Sequence, residues 1–225
     1  MPTNDRRTLI VDAAIDLIAT RGIRALTHRA LDAALDLPAG SASYYFRTKR
    51  TLIEAIADRI MSRSRTDFHA ARFDDVQPAG APPPGAQSFT PQLDDQRSAA
   101  REVAPIDPPD IARAIATWLD RLLVERRNHL IVRHALLIDL LSDAELHPRL
   151  AHSLFSVEHA RNLFRAKDVP DPETAAADFI AVIEGAVFDR FAGARTQLPP
   201  GTPESIDQLT ALLLPYLIGN RLPAS

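Results

Sequence analysis

An all-α fold is what the sequence predicts, and three observations predict it. Apolar residues recur three and four apart along most of the chain, as one face of a helix requires. Residues that start and stop helices fall at the ends of those runs. Apolar–polar alternation never lasts long enough to make a strand.

The first helix, about 6–20, presents Ile10, Ala13, Ala14, Leu17 and Ile18 on one face, and Gly22 stops it. Thr27 caps a second helix, about 28–35, with Ala30, Leu31, Ala34 and Leu35 turned inward. Pro38 and Gly40 break that helix, and a short third one, about 40–46, holds Ser41 to Phe46. Thr48 caps a fourth, whose buried stripe is Leu52, Ile53, Ile56, Ala57 and Ile60. Helix, short turn and helix with small residues at the elbow is helix-turn-helix geometry, and residues 27–46 have its length.

Between Asp74 and Asp110 the composition changes, with eight prolines in 37 residues and few aliphatics. Such a segment buries too little apolar surface to offset its ordering entropy, so it reads as a largely disordered loop within one helical assembly. A linker between independently moving domains is the alternative. Beyond it, Ile111, Ile115, Trp118, Leu119 and Leu122 make one stripe. Leu130 to Leu141 is apolar almost all round and reads as a buried helix, and Leu150 to Phe164 reads as another. Pro172 opens a helix reaching about Ala194, and the last runs from about 203 to 219 with Pro215 kinking it.

The composition excludes several classes. Without cysteine there is no disulfide framework, thiolate nucleophile or cysteine zinc site. No apolar run approaches a membrane span and the N-terminus has no signal-peptide core, so a cytoplasmic protein with no membrane partner is expected. No Ser/His/Asp set, carboxylate pair or phosphate-cradling glycine loop suggests an enzyme, and no cofactor is expected. His129, His134, His147, His152 and His159 contain no i, i+4 pair with an acidic partner, so no metal is expected either. The net charge of −3 is unevenly spread. Residues 1–72 hold 12 Lys and Arg against 8 Asp and Glu, whereas residues 73–225 hold 14 against 21. A basic module on an acidic body fits a nucleic-acid binder.

LPAGSASYYF, residues 37–46, gives that module its chemistry. A helix laid in the major groove must be narrow at the base edges and grip phosphates at its flanks. Ala39, Gly40, Ser41, Ala42 and Ser43 are small enough for close approach, Tyr44 and Tyr45 carry phosphate-binding hydroxyls, and Lys49 adds a charge. Phe46 turns into the core. Thr27 and His28 open the preceding helix where a phosphate is favoured, and Arg29 is long enough to reach a guanine edge. The competing reading is a helix-turn-helix that docks a protein partner instead of DNA.

At these residues the chain resembles the TetR family of transcriptional regulators. Over residues 6–60 the pattern is an amphipathic helix ending in RG, LTHRAL, a D-L-P turn, GSASYYF, a basic residue, T-K and an apolar helix from Leu52. Asp36 and Ser43 stand where the family commonly has Gly and Tyr. The resemblance implies a three-helix DNA-binding domain over residues 1–50 and a larger helical ligand-binding and dimerisation domain over 51–225. It implies double-stranded DNA as partner, a homodimer, and a small-molecule effector that releases a repressor from a pseudo-palindromic operator. Trp118, Arg133, His134, Leu137, Phe155 and Phe179 are the expected effector contacts, although for Arg133 and His134 a structural hydrogen-bond network is the stronger reading. Ile180, Glu184, Gly185, Phe188, Leu209, Leu213 and Tyr216 are the expected dimer contacts. Gly185 with Ala181 is a small-x-x-x-small pair, which suits either a partner's helix or an intramolecular neighbour.

Overall fold

In the computed structural model, residues 3–71 and 107–219 are described, and no strand occurs among them. The helices are α1 Thr3–Arg21, α2 His28–Ala34, α3 Ser41–Tyr45, α4 Lys49–Ala70 and α5 Pro108–Glu125. Then come α6 Arg127–Asp139, α7 Leu146–Ala151, α8 Val157–Arg165, α9 Pro172–Ala192 and α10 Pro203–Leu217. A 3₁₀ turn, Ile23–Ala25, joins α1 to α2.

Local chemistry sets most of these boundaries. Gly22 leaves α1 with φ of 78°, a left-handed conformation that costs glycine nothing. The side chains of Thr27, Thr48, Ser156, Asp171 and Thr202 each accept from a backbone N–H three residues on. At Thr48 the contact is reciprocal, because the Thr51 side chain accepts from the Thr48 N–H. Pro108, Pro172 and Pro203 occupy first turns, where a missing N–H is harmless.

Four expectations need correction. The segment 150–164 is two helices, because the Ser153 hydroxyl donates to the Leu150 carbonyl as α7 ends and Ser156 caps α8 afresh. The run 130–141 is not buried all round: Ile138 on α6 and Leu141 just past its end are 67% and 71% exposed. Ala34 is exposed at the end of α2. The Pro-rich stretch 74–110 lies outside the described residues up to 106, yet Asp107 to Asp110 are the cap and first turn of α5.

Two hydrophobic cores organise the chain. One gathers Ile10, Ile15 and Ile18 of α1, Leu31, Phe46, and Leu52, Ile56 and Ile60 of α4. It also takes in Val132, Leu136 and Leu140 from the α6 region and Leu146 and Leu150 of α7. The other is built on α5, α8, α9 and α10, around Trp118, Leu119, Phe155, Phe164, Phe179, Leu209 and Leu213. Helix α6 belongs to both, because Leu130 enters the second core and Val132, two residues on and about 200° round the helix, enters the first. Helix α4 leaves the first core and inserts Phe68 against the second. The N-terminal head is therefore joined to the body through shared apolar packing as well as through the chain.

Candidate functional site

The turn between α2 and α3 rests on a residue that sequence reasoning passed over. Asp32, on α2, is 5% exposed, and its carboxylate accepts from Gly40 N at 2.8 Å and Ala42 N at 2.7 Å. Gly40 sits at the N-cap of α3 with φ of 91° and has no side chain to cap with. Asp32 supplies that cap from another helix, and its negative charge lies where the α3 dipole favours it. The signal was present in the sequence: an acid on the inner face of α2, eight residues before a glycine that begins a helix. Asp36 is the second such detail. Its φ is 50°, so the position commonly glycine in the family is left-handed here, a region Asp enters more readily than most residues.

Arg7 was also missed. It donates to the Tyr45 carbonyl at 2.9 Å, and its guanidinium lies 4.4 Å from the centre of the Phe46 ring. It thus closes the C-terminal end of α3 onto α1, while Phe46 is buried in the core.

On this frame Thr27, Arg29, Ala39, Gly40, Tyr44 and Lys49 are exposed, and Ser41, Ser43, Tyr45 and His28 are half-buried. The Ser41 and Ser43 hydroxyls donate to the Pro38 and Gly40 carbonyls, at 2.6 and 2.8 Å. Tyr44 is 78% exposed and meets Tyr45 edge to face at 5.3 Å, whereas Tyr45 packs against the N-terminal core. The two adjacent phenols are therefore not equivalent. The His28 Nε2 is covered and has no partner, which turns that ring edge away from solvent. Arg50 is tied to the body, donating to Glu54 at 2.6 Å and to Asp143 before α7. That bond holds the Asp143 carboxyl down at about 2 and raises the Arg50 guanidinium above its ordinary value. Arg29, Arg47 and Lys49 make no ion pair among the described residues, so these cations remain for an anionic partner.

In the body a cavity of about 430 Å³ opens between the end of α4, α7 and the start of α8. Of the expected effector contacts, Phe155 lines it. Trp118 stands behind, 5.9 Å from Phe68 and 5.8 Å from Phe155 between ring centres, and Phe179 is 6.2 Å from Phe155. Leu137 packs on the N-terminal core instead. Arg133 is the main correction. It is 1% exposed and donates to both Glu184 carboxylate oxygens at 2.7 Å, to Leu150 O, to Ala151 O and to Ser153 Oγ. Its guanidinium is spent on structure and leaves nothing for a ligand. His134 lies 3.4 Å from Glu184 and rests against Phe188 and Phe191. Burial pulls the Glu184 carboxyl upward, but His134 and Arg133 outweigh it and hold it below its ordinary value.

The expected dimer contacts divide in the same way. Leu209 and Leu213 are fully buried within the protomer, facing the core shared with α5, so they are unavailable to a partner. Glu184 is directed inward to Arg133. Ile180 and Tyr216 are half-buried at the core's edge, and Phe188 is 41% exposed. Gly185 is exposed, and a Cβ placed there would meet nothing within 4 Å. An intramolecular helix against Gly185 is thereby excluded among the described residues.

Comparison with known proteins matches this geometry. Residues 10–56 match the family described as bacterial regulatory proteins, tetR family, and residues 107–215 match a tetracyclin repressor-like C-terminal domain. A search of curated proteins finds no match. Among solved structures, a TetR family member from Streptomyces coelicolor A3 is 22% identical, covering 94% of this chain and 98% of its own, with a TM-score of 0.61. A TetR-like transcriptional regulator from Rhodococcus sp. RHA1 is 18% identical, covering 97% and 99%, with a TM-score of 0.62. The multidrug binding protein EbrR, solved with malachite green, is 23% identical, covering 94% and 98%, with a TM-score of 0.57. Likeness at these identities establishes the fold, while the matches to both domain families cover head and body separately. The chain belongs to the TetR family of regulators.

Proposed function

We propose that the protein is a homodimeric transcriptional repressor that leaves its operator when a small molecule enters the body of the protomer. The observation that carries the reading is the surface of the head. A short helix of small residues, capped from inside by Asp32, is flanked by exposed Tyr44 and by Arg29, Arg47 and Lys49, none of them in an ion pair among the described residues. In this reading Ser41, Ser43, Ala39 and Gly40 approach base edges. Thr27, His28, Tyr44, Tyr45 and Lys49 serve the phosphates, and Arg29 reads a guanine.

Dimerisation is proposed along the outer face of α9. Ala177, Ala181 and Gly185 are exposed at four-residue intervals, with Phe188 following, so a partner's helix can approach closely. Two heads related by a two-fold axis then meet half-sites one or more DNA turns apart. Effector binding shifts the population toward a conformation whose head spacing no longer fits. Among the described residues no helix is long and apolar enough to cross a membrane. The test is fluorescence anisotropy with the DNA upstream of the protein's own gene, titrated against non-specific competitor and salt. Competitor-resistant binding with affinity falling steeply as salt rises is expected; binding that competitor removes, or that salt leaves unchanged, refutes the reading.

A further inference from the structure

The 430 Å³ cavity has a lining whose chemistry selects a ligand class, and its volume lies within the range of small-molecule sites. We propose that it binds a small aromatic carboxylate; this rests on the reading that the body takes an effector, and names that effector's chemistry. One wall is aromatic. Phe68 and Phe155 meet edge to face at 5.4 Å and His159 joins them at 5.2 Å from Phe68, leaving a surface suited to a planar ring. The lining also carries two guanidinium groups. Arg65 and Arg149 line the cavity together with His69 and His152. Arg65 is exposed and makes no ion pair or hydrogen bond among the described residues. The single acid of the lining is Glu158, which Arg161 and Arg165 hold at 3.4 and 3.5 Å. A cationic ligand would face two guanidinium groups there, whereas a carboxylate meets a planar fork of donors matched to its two oxygens.

Arg149 also provides the link to the head. It donates to Asp58 on α4 at 2.8 Å, in a pair whose side chains are 48% and 62% exposed. Exposed pairs of this kind are weak, so a carboxylate in the cavity competes for Arg149 with little opposition. Among the described residues, ion pairs of Arg149 with Asp58, of Arg50 with Asp143 and Glu145, and of Arg126 with Asp67 tie the α6–α7 region to α4. Capture of Arg149 breaks the first and loosens α4, the helix that carries the head.

Trp118, the protein's one tryptophan, sits against both phenylalanines of the aromatic wall and reports the cavity without DNA. The full chain is titrated with benzoate, phenylacetate and 3-phenylpropionate, each beside its amide, and with benzylamine, under excitation selective for tryptophan. Expected is a saturable change with at least one acid, an affinity about tenfold above that of its amide, and no response to benzylamine. Arg65→Gln and Arg149→Gln should each weaken that acid about tenfold. Asp58→Asn should tighten it, because Arg149 is no longer shared. Amides or benzylamine binding as well as the acids, or no acid altering the fluorescence, overturns the proposal. Asp58→Asn leaving the affinity unchanged overturns the exchange at Arg149. Failure of any of these leaves operator binding untouched, since the readout contains no DNA.

Discussion

Two backbone N–H groups at the start of α3 have the Asp32 carboxylate as their partner, that of Ala42 buried and that of Gly40 partly so. Removing the acceptor leaves them unsatisfied, so Asp32→Ala should cost about 2–3 kcal/mol in urea denaturation, with Asp32→Asn costing less because one acceptor survives. Asp36 bears a smaller strain at φ of 50°. Asp36→Gly should relieve it and gain about 0.5 kcal/mol, the benefit being reduced by the freedom glycine adds to the unfolded chain. Glu184 behaves differently, because it answers a buried guanidinium. Its folded value is lowered, so its contribution is fully present above its ordinary value of 4.5 and is lost as pH falls through the folded value. Glu184→Ala should cost about 3 kcal/mol at neutral pH by leaving Arg133 unpaired, and should flatten the acid limb of a stability–pH curve below 4.5. An unchanged acid limb would mean that another carboxylate governs it.

At the level of the helix, α9 offers the cleaner test of assembly. Gly185 has open space around it, so Gly185→Leu disturbs no contact within the protomer and improves helix propensity by up to about 1 kcal/mol. Sedimentation should therefore show a folded monomer in place of a dimer, with thermal stability of the isolated protomer retained. A dimer surviving this change would move the interface away from α9. Helix α4 joins recognition to the body: its N-terminal end carries Lys49, its middle Asp58, and its far end Phe68 in the second core. Helix α4 runs unbroken from one core to the other and α6 belongs to both, so a change at the cavity has a continuous packed route to the head.

Over the whole molecule, the charge is divided along the chain, with an excess of 4 positive charges in residues 1–72 and 7 negative in the remainder. The acidic body opposes non-specific adsorption to DNA, so affinity should depend on the few cations at the head. Lys49→Gln should reduce the slope of log affinity against log salt by about one and weaken binding similarly on specific and random DNA. Arg29→Ala should instead relax discrimination at one base pair, by about 1–3 kcal/mol.

Periodicity and caps alone determined the helices and the order of the head, because hydrogen bonds within a helix and its cap involve residues three or four apart. The buried stripe of α4, the Thr27 and Thr48 caps and the inward Phe46 were all legible that way. Partners distant in sequence were not. That Arg133 is consumed by Glu184, that Leu209 and Leu213 face inward, and that Arg149 stands between Asp58 and a cavity depend on which helix faces are apposed. Each of these chains of contact crosses dozens of residues, and an apolar or charged side chain reads the same in sequence whether it meets its own core, a partner or a ligand. Only packing in three dimensions distinguishes them.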